Sequence, residues 1–320
     1  MRDAFVRALV EEARSNPDLY LLSGDLGFHV LDPWRNELPE RFINVGVAEQ
    51  NLAGMAAGMA MSGKVAVIYS IGNFPTLRCI EQIRNDICYH EANVKVVAVG
   101  AGFAYGSLGS THHATEDIAM MRALPGMTVL SPGDPYEAGE ATRAAMRMPG
   151  PFYLRIGKSG EPLVHKNAPA FAVGKAITAL PGSDLTLVAT GGMLVAAVEA
   201  AEQLASHDLS VRVLSMHTIK PLDQEALLAA ATETGKVVTV EEHSLLGGLG
   251  SAVAEFLSEA APGVLLRKLG VPDRFFSRAG SPDHLREQCG LNTAGIVAEA
   301  LKLTQRKNLN GATHVHSTVR

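Results

Sequence analysis

Short, continuously apolar runs alternate with longer amphipathic stretches along almost the whole chain. The runs LYLLSG (19–24), FINV (42–45), KVAVIYS (64–70), VKVVAVG (94–100), MTVLSP (127–132) and FYLRIG (152–157) read as strands, and 3–15, 47–62, 76–90 and 134–147 read as helices. Strands apolar on both faces, alternating with helices, predict a parallel sheet covered on both sides. A second set follows, with strands at 184–191, 209–215, 236–242 and 264–270 and helices at 193–206, 223–232, 247–260 and 292–303. The fold class is therefore α/β, as two consecutive α/β domains with mostly parallel sheets. Between the sets lies GKSGEPLVHKNAPAFAVG (157–174), whose Gly and Pro mark an interdomain linker. The expected domains are 1–165 and 166–305. The polar, aperiodic stretch 306–320 reads as a disordered tail, and its His314 and His316 as solvated side chains rather than metal ligands.

Composition narrows the function classes. The net charge is −5, and a nucleic-acid-binding surface needs a basic excess to neutralise phosphate. Aromatics make up only 5% of the chain, too few to suggest a base-stacking platform. Cys79, Cys88 and Cys289 lie far apart with no Cys-x-x-Cys pair, so neither structural zinc nor a disulfide framework is expected. That usage fits a reducing cytoplasm. The start, MRDAFVRALVEEAR, mixes charges every few residues and reads as a helix rather than a signal peptide. Uncharged stretches such as Val96–Thr111 are broken by glycines, so no membrane span is expected.

In open α/β sheets, ligands bind beyond the carboxyl ends of the strands. The segments there are Gly24–His29, Gly46–Asn51, Ser70–Arg78, Gly100–His113 and Arg155–Lys158, and they hold most of the unusual residues of the first half. Glu49 opens a helix rich in small residues: Ala53, Gly54, Ala56, Ala57, Gly58 and Ala60. It is either a carboxylate favoured by the helix dipole or an acid–base group beside a dry subunit interface. Phe74, in a Gly-Asn-Phe-Pro loop, is either a core aromatic or a site aromatic. A Gly-rich loop leads to His112 and His113; adjacent histidines point apart, so a two-His metal site is not expected, and no phosphate-loop signature is present. In the second half, His217, Glu241, Glu242 and His243 read as strand-end or interface hydrogen-bonding groups.

The order of motifs carries a resemblance. VGVAEQNLAGMAAGMA, the loop Ser70–Phe74 ahead of Arg78, GSTHH, YLRIG, MHTIKPLD, VEEHSLLGGLGSAVAE and LGVPDRF occur in sequence. Together they resemble the C-terminal half of transketolase, a pyrimidine-binding domain followed by the transketolase C-terminal domain, over about residues 2–303. The resemblance implies a thiamine diphosphate cofactor. Glu49 of AEQN resembles the family's catalytic glutamate, which bonds a pyrimidine nitrogen and promotes the imino tautomer that generates the ylid. Phe74 resembles the aromatic that stacks on the aminopyrimidine, and Asp25 an aspartate near the thiazolium. His112 matches a histidine that contacts substrate hydroxyls. Arg155 and Arg2 match arginines that bind the sugar phosphate, a role suited to a guanidinium fork.

The departures are equally informative. The family's Gly-Asp-Gly, which with a later Asn binds the diphosphate and its Mg2+ or Ca2+, does not occur in this sequence. The chain is therefore expected to be half an enzyme. An N-terminal transketolase subunit would hold the diphosphate and metal, in an α2β2 assembly acting on small sugar-phosphate or aldehyde substrates. Leu108 replaces an acidic residue, Gly100 a histidine and His29 a phosphate-binding serine, which points toward an unusual acceptor. The expected reaction is transfer of a two-carbon ketol unit from a ketose donor to an aldehyde acceptor. The alternatives are the β subunit of a 2-oxo-acid dehydrogenase or a related pyruvate-decarboxylating enzyme, and a non-catalytic scaffold.

Overall fold

A computed structural model describes residues 1–305 of the chain; the stretch read as a tail, with His314 and His316, lies outside the described residues. In the first half, β1 (Leu19–Ser23), β2 (Phe42–Asn44), β3 (Val65–Ile71), β4 (Val94–Val99), β5 (Thr128–Leu130) and β6 (Phe152–Ile156) form a parallel sheet in the order β5-β6-β4-β3-β1-β2. The second half contributes β7 (Ile177–Leu180), β8 (Leu185–Ala189), β9 (Val211–Ser215), β10 (Thr218–Lys220), β11 (Lys236–Ser244) and β12 (Leu265–Val271). Five of these make the second sheet, ordered β12-β11-β8-β9-β7, parallel except for β7.

The exception is β10. It crosses to the first sheet and pairs antiparallel with β5, with Thr218 opposite Leu130. Neither β7 nor β10 follows from the apolar pattern, since each is a short edge strand, three or four residues long. The central strands behave as their sequences require. All six residues of β4 are buried, including Lys95, whose ammonium donates to the carbonyls of Met148 and Gly150 at 2.7 Å each.

The helices are α1 (Arg2–Ser15), α2 (Asp32–Glu37), α3 (Glu49–Met61), α4 (Ile80–Gln82), α5 (Asp117–Ala123), α6 (Pro135–Arg147), α7 (Met193–Ala205), α8 (Gln224–Thr234), α9 (Leu249–Ala260), α10 (Pro282–Gln288) and α11 (Thr293–Thr304). The continuous helix expected over 76–90 is a composite. A 3-10 turn (Leu77–Cys79) runs into α4 and then into a π segment (Ile83–Cys88).

The stretch between the halves is pinned rather than loose. Asp134 caps α6 through Oδ1, while its Oδ2 accepts the N–H groups of Val164 and His165 at 2.9 Å. His165 in turn lies 2.7 Å from buried Glu137. One hydrophobic cluster joins Leu52, Val96 and Tyr153 of the first half to Leu214, Met216 and Val253 of the second, so the core is continuous across the boundary.

Candidate active site

The first sheet delivers three segments to one end. After β2, the backbone turns at Gly46, whose φ of +73° suits glycine, and α3 begins at Glu49. A carboxylate in the first turn of a helix is favoured by the dipole. Glu49 is nonetheless only 4% exposed, so it needs a partner, and Arg78 Nη1 donates to its Oε2 at 3.0 Å. After β3, the loop places Phe74 half-buried, and the Arg78 guanidinium lies over its ring, 4.1 Å from the centroid. His112 meets Phe74 edge-on at 5.3 Å between centroids. Its neighbour His113 turns inward, buried against Phe103, so the two histidines do point apart.

Glu49 and Arg78 line an open cleft of about 480 Å³ with Val47, Ala48, Gln50 and Asn51. Two larger clefts, of about 790 and 1090 Å³, lie elsewhere. Size is the poorer guide here, since the small cleft is the one that holds the buried carboxylate.

Asp25 is exposed at the end of β1. Its backbone N–H and one carboxylate oxygen both bond the Asn44 amide at 3.0 Å, which ties the ends of β1 and β2 together. Arg2 and His29 do not reach the Glu49 cleft but line the 790 Å³ groove between α1 and α2. His29 is almost fully exposed there, 3.7 Å from Asp32. The expected substrate contacts thus fall into two groups.

Three expectations need correction. Arg155 is not at a pocket mouth. It is 2% exposed, with Nε donating to Asp117 at 2.7 Å and Nη2 donating to the carbonyls of Ala114 and Glu242. Its Nε and Nη2 are taken by the interdomain core, which leaves Nη1 as the one group of the fork without a hydrogen-bond partner among the described residues. The space left by Gly100 is not empty, because the Tyr105 ring fills it, and a Cβ on Gly100 would collide with that ring. Of the small residues of α3, Ala53, Ala56 and Ala57 pack in the chain's own core, and the outward side carries Met55, Gly58 and Met61. Leu108 is exposed.

Sequence reasoning missed the part played by Arg78. The signal was available, since four residues after Phe74 is one helical turn, the spacing at which a cation reaches back over an aromatic. The second-half residues behave as read. Glu241 accepts the N–H groups of Leu249 and Gly250 at 2.7 Å at the start of α9, and Glu242 accepts from the Phe103 N–H and from Arg286. Among the described residues, no three His, Cys, Asp or Glu side chains come together as a metal site, and no helix is long and apolar enough to cross a membrane.

Comparison with known proteins identifies the family. The family profile "Transketolase, pyrimidine binding domain" matches residues 1–161, and "Transketolase, C-terminal domain" matches 174–296. An apulose-4-phosphate transketolase subunit of Phocaeicola vulgatus is 38% identical over 95% of this chain and 97% of its own length. The 6-deoxy-6-sulfo-D-fructose transketolase subunit of a Clostridium species is 39% identical over 96% of this chain and 95% of its own. A solved structure described as a split gene transketolase, inactive beta4 tetramer, superposes with a TM-score of 0.88 at 41% identity, covering 95% and 97% of the two chains. The chain therefore belongs to the transketolase family. Within that family it is a transketolase subunit built of the pyrimidine-binding and C-terminal domains.

Proposed function

We propose that this chain brings the catalytic glutamate to a thiamine-diphosphate-dependent transketolase whose diphosphate-binding domain is a separate N-terminal subunit. One observation carries the reading: beside an open cleft, one planar cation, Arg78, touches both a buried carboxylate, Glu49, and an aromatic face, Phe74. Those residues fit the pyrimidine end of the cofactor. When bound, thiamine diphosphate supplies the carbon nucleophile that accepts and releases the two-carbon unit. Glu49 Oε2 would hold the proton shared with a ring nitrogen, Phe74 would carry the ring, and Asp25 and His112 would flank the reacting end. The Mg2+ or Ca2+ and the diphosphate belong to the partner. A relative described as an inactive tetramer of beta subunits supports the need for that partner, and an α2β2 assembly is the simplest form. The relatives' names support a role in carbohydrate metabolism, and free Cys79, Cys88 and Cys289 fit a reducing, cytoplasmic setting.

Both curated relatives are named for substrates that carry an anion, a phosphate in one and a sulfo group in the other. That supports recognition of an anionic end here. With Arg155 buried, Arg2 and His29 remain for that role. Leu108 supports an acceptor other than an ordinary pentose phosphate, because a site without a polar partner cannot strongly reject a substrate lacking the matching hydroxyl. These transketolase names also favour ketol transfer over a 2-oxo-acid dehydrogenase.

Substituting Glu49→Gln tests the assignment. The substitution keeps size and fold but removes the proton-holding oxygen, so turnover of the assembled enzyme should fall by about 100-fold or more. Turnover near wild type at saturating cofactor would refute it.

A further inference from the structure

We infer that Arg78 is an internal stand-in for the cofactor's aminopyrimidine: in the chain on its own, its guanidinium occupies the Phe74 face and the Glu49 carboxylate, and the cofactor loads only when it leaves. The inference rests on the reading of Glu49 and Phe74 given above and goes beyond it. A guanidinium is planar, cationic and edged with N–H donors, so it resembles a protonated aminopyrimidine in shape and in hydrogen bonding. Its carbon lies 4.1 Å from the Phe74 centroid, which is stacking distance, and Nη1 lies 3.0 Å from Glu49 Oε2. A second flat ring cannot take the same face while the first remains, and His112 already packs against Phe74 in a T-shaped pair.

The arrangement solves a problem of the separated subunit. A carboxylate 4% exposed is costly without a partner, and a site aromatic facing solvent invites non-specific contact. Arg78 satisfies both groups until the cofactor arrives. It is also able to leave, because its own side chain is 47% exposed and can regain water. When one state of a site is closed, apparent affinity falls by the fraction that is open. A cation–π contact and a half-exposed ion pair of ordinary strength correspond to about a 5–30-fold reduction.

Calorimetric titration of thiamine diphosphate with Mg2+ into the assembled two-chain enzyme tests this. Arg78→Ala should bind the cofactor about 5–30-fold more tightly than wild type. Arg78→Lys should fall between, since an ammonium lacks the planar fork. If Arg78→Ala lowers the melting temperature too far to titrate, Arg78→Met keeps the stem and carries the same expectation. Unchanged or weaker binding in a well-folded variant would overturn the stand-in, the latter because it would make Arg78 a residue that holds the cofactor. Phe74→Ala and Glu49→Gln serve as separate controls. Wild-type affinity in both would refute the site assignment, and the inference with it, whatever Arg78 does.

Discussion

At Glu49 and Arg155 the chain uses charge in opposite ways. Glu49 is buried but reaches a cleft, and its partner is a half-exposed arginine free to move. Arg155 is buried among Asp117, Tyr153 and main-chain carbonyls, which take its Nε and Nη2. Burial pushes the Asp117 carboxyl up, but the Arg155 guanidinium beside it holds it below its ordinary range. Removing one partner of such a pair strands the other charge. Arg155→Met should therefore cost about 3–5 kcal/mol of folding stability by urea titration. A variant of normal stability whose only defect is a raised KM for a phosphorylated substrate would restore the phosphate-binding role. Sequence alone could match Arg155 to a family position. It could not reveal that Asp117, 38 positions away, claims the same guanidinium.

Among the elements, α3 carries the proposed catalytic carboxylate on a helix whose outward side is uncharged. Its alanines fill the core, and Met55, Gly58 and Met61 face outward without a charge among them. A Cβ on Gly58 meets nothing within 4 Å, so Gly58→Glu should fold normally. If α3 packs against another helix, the added carboxylate should dissociate the assembly in sedimentation; an unchanged mass would remove α3 from the interface. The buried strands were legible because continuous apolar runs leave little alternative. The edge strands β7 and β10 were not, because short strands with one covered side lack that pattern, and β10 pairs with a strand that lies far earlier in the chain. The switch from 3-10 to π after Phe74 was likewise invisible, since each segment lasts fewer than two turns, too short for its spacing to part from that of an α-helix.

Across the whole molecule, the two halves are joined by a shared core, by β10 and by a buried polar network. His243 sits in that network as the neutral ring. Its Nδ1–H donates to the Ser244 carbonyl at 2.9 Å, and its Nε2 accepts the Ala119 N–H at 3.3 Å. Burial pushes its pKa from 6.5 down to about 4. The unfolded chain takes up this proton below 6.5 and the folded chain only near 4, so the stabilisation is complete above 6.5 and is lost as pH falls toward 4. The loss should run at about 1.4 kcal/mol per pH unit and be missing from His243→Gln, as seen by denaturant titration of both proteins across that range. Equal pH slopes would show that His243 takes up its proton at the same pH in the folded and the unfolded chain.

The central claim is that this chain is half of a thiamine-diphosphate enzyme, its catalytic carboxylate waiting for a diphosphate site on another chain. The most direct measurement is calorimetric titration of thiamine diphosphate with Mg2+ into this chain alone, then into its equimolar mixture with the diphosphate-binding subunit. The account predicts no micromolar binding to the chain alone and tight, stoichiometric binding to the mixture. Tight binding by the isolated chain would contradict it.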